Sequence, residues 1–168
     1  MNKTFIIEAV MLAVHGQLML PVKPVTYLIP YTTIQELYEL QTSDEPIMVH
    51  TEDDGFVKGM IGELIHFFEE SFNKKKVEKA LTMPWGKSPP LPINEHVILQ
   101  IVNAIDNEAY GDHLDPIETE LILTAMKEKA VILTDQMEFI DRIIEMAIPV
   151  ETCDVEDFEF VVEDDNQV

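Results

Sequence analysis

Basic side chains are scarce in this chain. Its 168 residues include 11 lysines and arginines against 32 aspartates and glutamates, which gives a formal net charge of -21, and Arg142 is the only arginine. Proteins that bind nucleic acid usually present a basic face, and arginine is the preferred bidentate partner of phosphate. The composition therefore disfavours a broad nucleic-acid-binding surface, although salt screening would still permit a small basic patch to act locally.

Cysteine and long apolar runs are scarce too. Cys153 is the only cysteine, so no internal disulfide can form, and we expect a protein of the reducing cytoplasm. The richest early apolar run, residues 5–14, is interrupted by Glu8 and lacks the small-residue cleavage site of a signal peptide. We therefore expect neither a membrane span nor a secretory signal.

Motifs of several enzyme classes are missing. The chain contains no Walker loop, no GxGxxG or GxSxG turn and no zinc-spaced cysteine and histidine pattern. His15-Gly16 is at most a fragment of a nucleotidyltransferase HxGH motif, and His15 is interpreted as an interior side chain or a helix-end cation rather than a catalyst. Acidic side chains are the abundant functional groups, so the candidate catalytic residues are acids.

The clearest structural signal lies at residues 114–139. Asp115 and Glu118 have the spacing of a capping box, which predicts that a helix begins here. The all-apolar segment 130–133 then predicts a strand buried on both faces, as in parallel sheets. Asp135 follows that strand at its carboxyl end, which is where ligands gather in open α/β sheets.

The remaining segments predict alternating strands and helices in one α/β domain, residues 1–150. We predict strands at 4–7, 25–29 and 148–150, helices at 9–20, from Thr33, at 55–81 and at 137–147, and a polar loop at 41–54. The 55–81 segment is either one helix or two that are broken near Asn73. Segment 94–105 fits a helix or a central strand, and its β-branched residues favour the strand.

Residues 151–168 form an acidic C-terminal segment without lysine or arginine. Phe158, Phe160 and Val162 alternate with other residues, a pattern that indicates an edge strand. We expect the chain to fray from Asp164 onward.

Several segments resemble a PIN-type nuclease domain. LDPIETELILTA, VILTD and EFIDRIIEMAIPV resemble the acid-bearing helix, the strand closing in Thr-Asp, and the last helix and strand of that family. IPYTTIQELYEL resembles the family segment that carries the second acid, at Glu36. The resemblance covers the last third of the chain most clearly. It implies a three-layer α/β/α fold with a mostly parallel central sheet and a metal-dependent ribonuclease.

The resemblance also implies a set of catalytic, metal-binding acids. These are Glu8, Glu36, Glu118 and Asp135, with Glu120 as a substitute for Glu118 and Glu138 as an accessory acid. Mg²⁺ or Mn²⁺ would be the cofactor and RNA the substrate, since paired divalent cations can activate water and stabilise the leaving oxygen in phosphodiester hydrolysis. Glu8 stands where the family has aspartate, and the extra methylene moves the carboxylate by about 1 Å.

Each acid also has a structural interpretation. Capping explains Glu36 and Glu118, and Asp135 can cap the helix that follows it. Glu8 is harder to explain in this way, because an unpaired acid among apolar neighbours costs several kcal/mol to bury.

A lysine-rich segment is the best candidate for binding substrate phosphates. An aromatic side chain beside lysines can stack on a base while the lysines neutralise phosphates. The structural alternative is a helix end whose lysines favour the macrodipole, followed by a loop with a partly buried tryptophan. The residues concerned are Lys74, Lys75, Lys76, Lys79, Trp85 and Lys87.

The sequence is also compatible with two other functions. The same fold without activity would be an acidic interaction module that binds a basic protein partner, and a nucleic-acid mimic would need its acids spaced like phosphates. A homodimer is compatible with either. The whole chain also resembles small bacterial proteins labelled ADP-heptose synthase, but no motif here supports that activity.

Overall fold

The computed structural model describes residues 3–105 and 113–163. Its core is a six-stranded sheet of order β3-β4-β2-β1-β5-β6, in which every neighbouring pair is parallel except β3 and β4. The predicted α/β class and mostly parallel sheet are therefore confirmed. The strands are β1 (Lys3–Ile6), β2 (Val25–Pro30), β3 (Leu91–Pro92), β4 (Val97–Val102), β5 (Val131–Leu133) and β6 (Thr152–Cys153).

Helices cover both faces of this sheet. Because successive side chains of a strand point to opposite faces, Phe5 and Tyr27 enter one apolar cluster while Ile6 and Leu28 enter another. The first, larger cluster is completed by α1 to α4 and α7, and the second, smaller cluster by α5 and α6, which makes three layers. The helices are α1 (Met11–Val14), α2 (Tyr31–Thr42), α3 (Thr51–Glu69), α4 (Ser71–Ala80), α5 (Pro116–Glu128), α6 (Met137–Glu145) and α7 (Phe158–Glu163), with a 3-10 helix at Gly16–Met19.

The predicted start of α5 is confirmed in detail. Asp115 Oδ1 accepts a hydrogen bond from the Glu118 backbone N–H at 2.7 Å, and Glu118 Oε1 accepts one from the Asp115 N–H at 3.1 Å. This reciprocal pair satisfies two backbone donors that the helix itself leaves free. The strand predicted within residues 94–105 is also confirmed, as β4.

The capping box predicted at Thr33 and Glu36 is wrong. Helix α2 begins at Tyr31, directly after the last residue of β2, and no side chain caps its Pro30 end. Thr33 Oγ1 instead donates to the Pro30 carbonyl at 2.8 Å and accepts from the Ala9 N–H at 3.1 Å. The threonine therefore ties the connection after β1 to the start of α2.

Three other helix boundaries differ from the prediction. The 9–20 segment is α1 and a 3-10 helix separated at His15, whose φ of -117° and ψ of 85° are not helical. The predicted loop 41–54 ends early, since α3 begins at Thr51 and places three acids in its first turn, where they favour the helix dipole. The 55–81 segment is broken at Glu70 rather than near Asn73.

The strands predicted at 148–150 and 158–163 are both wrong. The final strand is β6, and residues 158–163 form α7. Phe158 and Val162 are four residues apart, so both lie on one face of a helix and both are buried, whereas Phe160 is 79% exposed. Over so few positions, alternation does not separate a strand from a helix. Residues 164–168, where we predicted fraying, lie outside the described residues.

Candidate functional site at the carboxyl edge of the sheet

Acids predicted from distant parts of the chain meet at the carboxyl edge of the parallel strands. Glu8 follows β1, Asp135 follows β5, and α2 begins directly after β2. The pKa of Glu8 is raised to about 7, first by burial and then by the negative charges of Glu36, Asp135, Asp115 and Glu118. Like charges raise a carboxyl pKa only when they are near it, so these carboxylates share one neighbourhood.

Asp115 is an unexpected member of this cluster. The sequence indicated only its capping role, which the structure confirms. Its charge nevertheless raises the pKa of both Glu8 and Glu36. No sequence pattern marked it as a neighbour of Glu8, because the contact depends on how α5 packs against the sheet.

Glu8 lies half-buried in the middle of the cluster. Among the described residues, no hydrogen bond or ion pair reaches its carboxylate. No basic side chain among those residues therefore offsets the cost of burying the Glu8 charge. Because the pKa of Glu8 is raised to about 7, a bound proton removes part of that charge near neutral pH.

Glu36 projects from α2 and is also half-buried. Its Oε1 atom is buried and has no hydrogen-bond partner within the described part of the chain. Burial raises the pKa of Glu36, and Glu39, Asp115 and Glu120 raise it further. A buried, unpartnered carboxylate oxygen is costly, and a bound cation is one way to offset the cost.

Asp135 contacts His15, which the sequence indicated to be an interior side chain or a helix-end cation. Its Oδ2 atom lies 2.7 Å from His15 Nε2, and the two side chains are 39% and 23% exposed. His15 separates α1 from the 3-10 helix, 120 residues earlier in the chain. The run of apolar residues suggested an interior histidine, whereas the structure places His15 at a non-helical junction and in contact with Asp135.

Glu118 is committed to structural contacts. It is buried, its Oε1 accepts from the Asp115 N–H, and its Oε2 pairs with the guanidinium of Arg142 from α6. Both carboxylate oxygens are thus occupied. Arg142, the only arginine of the chain, is thus paired with Glu118 through one guanidinium nitrogen.

The two secondary acids occupy different environments. Glu120 is buried at 5% exposure and accepts a hydrogen bond from Thr32 Oγ1, which joins α5 to α2. It also contributes to the raised pKa of Glu36, so it belongs to the cluster. Glu138 is exposed in the first turn of α6.

The candidate substrate-binding residues lie on elements that pack against different core clusters. Lys74, Lys75, Lys76 and Lys79 lie on α4, which packs through Val77 against the larger core cluster. Trp85 packs against the smaller cluster, and Lys127 lies 5.2 Å from its ring centroid.

Two of these lysines contact residues from other parts of the chain. Lys87 Nζ is 3.4 Å from Glu128 Oε2, and Lys76 donates to the Pro90 carbonyl. Stacking of an RNA base on Trp85 would have to compete with Lys127 for the ring.

The capacity of the cluster for a metal can be assessed from its donors. Within residues 3–105 and 113–163, no group of three or more His, Cys, Asp or Glu side chains is arranged so that it could hold a metal ion. Carboxylate oxygens suit Mg²⁺ and Mn²⁺. Glu8, Glu36 and Asp135 each have an oxygen without a partner among the described residues, so they are the ones available to bind a cation after side-chain adjustment.

Comparisons with known proteins add no family assignment. A scan against protein-family models and a search of curated proteins both found no match to this chain. In the part of the chain that the structure describes, no helix is long and apolar enough to cross a membrane.

Proposed function

We propose that this chain is a divergent PIN-like ribonuclease that depends on Mg²⁺ or Mn²⁺. The observation that carries the proposal is the pKa of Glu8, raised to about 7 by burial and by four other carboxylates at the carboxyl edge of the sheet. Perturbed acids of this kind are concentrated at functional sites, and open parallel sheets bind ligands at this edge.

The residues that would hold the cation are Glu8, Glu36 and Asp135. The buried, unpartnered Oε1 of Glu36 supports this choice, as does the lack of a described partner for the Glu8 carboxylate. Glu118 and Glu120 would keep α5 in place through Arg142 and Thr32. When bound, a divalent cation would supply an activated water and stabilise the leaving oxygen of a phosphodiester.

The test is cleavage of a fluorescent single-stranded RNA at low salt with Mn²⁺, because a net charge of -21 repels RNA. We expect Glu8→Gln, Glu36→Gln and Asp135→Asn each to lower cleavage by at least about 100-fold. Glu145→Gln, at an exposed acid at the end of α6, is the matched control and should keep most activity. Wild-type protein that cleaves no RNA and shows no Mn²⁺-dependent thermal shift would refute the proposal.

A second candidate is an inactive PIN-like domain that binds a basic protein partner. Two observations favour it: the net charge of -21 and the lack, among the described residues, of a side-chain group ready to hold a metal. It predicts no Mn²⁺-dependent thermal shift. It also predicts salt-sensitive binding of a lysine-rich peptide that Asp135→Asn or Glu36→Gln weakens more than Glu145→Gln does.

A further inference from the structure

We propose that this chain associates with a second copy of itself by docking α4 of one copy against α6 of the next. The basis is a match between two helix faces that the fold leaves exposed, a basic face on α4 and an acidic face on α6. The proposal is independent of the metal site, since neither helix face depends on a bound cation.

The basic face of α4 consists of Phe72, Lys75 and Lys79. These residues occupy positions i, i+3 and i+7, so they lie on one side of the helix, and all three are exposed, Phe72 at 81%. Val77, on the opposite side, is buried and anchors the helix to the larger core cluster. Glu78 is the only acid of α4, and it lies in the groove that α4 forms with α2 and α3. The outward side of the helix therefore presents one aromatic ring and two cations.

The two lysines of the basic face have no partner in the described part of the chain. Partners are plentiful, since 32 acids face 11 basic side chains, and Lys58, Lys87 and Arg142 each pair with an acid. No hydrogen bond or ion pair from the described residues reaches the side chain of Lys75 or Lys79. Their charges are therefore available to an anionic surface outside the molecule.

The acidic face of α6 consists of Met137, Glu138, Asp141 and Ile144. Met137 is 56% exposed and Ile144 is 69% exposed, while Phe139 on the other side of the helix is fully buried. Asp141 lies four residues after Met137 and three before Ile144, so its carboxylate borders both apolar side chains. Glu138 and Asp141 are exposed, and neither side chain has a partner among the described residues.

The two faces complement each other in charge and polarity. The ring of the basic face would cover the apolar side chains of the acidic face, while its lysines approach the two carboxylates at the rim. The faces cannot meet within one chain, because α4 packs on the larger core cluster and α6 on the smaller one, on opposite sides of the sheet. A second copy brings them together. Since each copy carries one face of each kind, the association is head-to-tail.

The net charge opposes this association at long range. Each copy carries -21, and two such molecules repel each other. At physiological ionic strength, however, exposed charges farther apart than about 8 Å are screened, whereas direct contacts across an interface remain. Two helix faces of this size also bury less area than a standard interface. We therefore expect weak association, with a dissociation constant on the order of 100 µM.

The experiment is sedimentation velocity on the full chain over a concentration series at about 0.15 M salt. We expect the weight-average sedimentation coefficient of the wild type to rise with concentration. Two double variants each reverse one face: Lys75→Glu with Lys79→Glu, and Glu138→Lys with Asp141→Lys. Each should weaken association by at least about 10-fold, because both of its faces then carry charge of the same sign. Mixing the two variants should restore association.

A fourfold variant that combines both reversals separates charge pattern from net charge. The two reversals change the net charge by equal and opposite amounts, so this variant keeps the wild-type value of -21 and should associate again. Phe72→Ala, which leaves the charges unchanged, should weaken association about 10-fold.

Glu52→Lys with Asp53→Lys is the matched control. It reverses two exposed acids in the first turn of α3 and changes the net charge as much as the reversal on α6 does, so it should retain association. Thermal unfolding of every variant separates a loss of fold from a loss of association.

Three results would overturn the proposal. The first is a wild type that stays monomeric over the whole series. The second is association that survives the reversal of either face in a folded variant. The third is a fourfold variant that folds but does not associate. None of them bears on RNA cleavage or Mn²⁺ binding, so the proposed function stands or fails separately.

Discussion

The buried carboxylate of Glu118 is paired with the guanidinium of Arg142, which lies 24 residues later in the chain. The pair joins the first turn of α5 to α6, the two helices that cover one face of the sheet. It therefore stabilises the helix layer beside the acidic cluster. It also occupies Glu118, which was one of the predicted metal ligands.

Loss of this ion pair should be costly. Arg142→Ala leaves Glu118 buried without its counter-charge, and we expect the free energy of unfolding to fall by roughly 3 kcal/mol. Urea denaturation at pH 7 measures the change. Lys87→Ala, which breaks the more exposed pair with Glu128, is the control and should cost less than about 1 kcal/mol. Equal effects of the two variants would show that the Arg142 pair contributes no more than a surface contact.

Glu8 should make the protein less stable as the pH rises from 4.5 to about 7. Its carboxyl pKa is about 7 in the folded protein against an ordinary value of 4.5, so the folded state holds this proton more tightly than the unfolded state. The contribution is fully present below pH 4.5 and is lost between there and pH 7, a fall on the order of 3 kcal/mol for this group.

Urea denaturation at several pH values across this window would detect the fall. Glu8→Gln cannot titrate, so it should flatten the stability profile in the same window. A profile of the same shape in wild type and variant would contradict the assignment to Glu8.

Asp115 offers a way to separate capping from electrostatics. Asparagine caps a helix about as well as aspartate, so Asp115→Asn should keep α5 intact while it lowers the pKa of Glu8 by removing a neighbouring charge. Asp115→Ala should lower that pKa too and also cost about 1 kcal/mol of stability. Carbon-detected NMR titration of the Glu8 carboxyl reports the pKa. No change in either variant would mean that Asp115 does not act on Glu8.

Helix α7 should be essential for stability. Phe158 is fully buried, with its ring centroid 5.4 Å from that of Phe5 and 6.3 Å from that of Tyr27. Phe158→Ala should lower the free energy of unfolding by about 3–5 kcal/mol. Phe160→Ala, two residues later and 79% exposed, should change it by less than about 0.5 kcal/mol. Thermal or urea unfolding of the two variants compares them directly.

Short sequence motifs predicted the features that neighbouring backbone groups determine. The capping box at Asp115 and Glu118 fixes the start of α5 through neighbouring backbone groups, and the sequence was sufficient to identify it. The same spacing at Thr33 and Glu36 was misleading, because Thr33 Oγ1 bonds to Ala9, 24 residues away. Capping residues compete for partners, and tertiary packing decides which partner each of them gains.

The composition of the site was predictable only in part. Strand ends indicated where Glu8 and Asp135 would lie, because parallel strands share a carboxyl edge. The partners of the acids were not predictable in this way. His15, where α1 ends, contacts Asp135, which is 120 residues away, and Arg142 of α6 pairs with Glu118 of α5. Such contacts depend on distances in three dimensions that spacing along the chain does not encode.

The position of Phe158 also constrains how the chain folds during synthesis. Strand β2 pairs with β1 and with β4, and all three come from residues 3–102, yet β1 also pairs with β5, and its Phe5 ring packs on Phe158. The part of the Phe5 ring that Phe158 covers therefore stays open until residues 158–163 have left the ribosome, although α1 to α4 can already cover the rest of that face. Until then the nascent chain exposes a small apolar patch, which favours association with other chains.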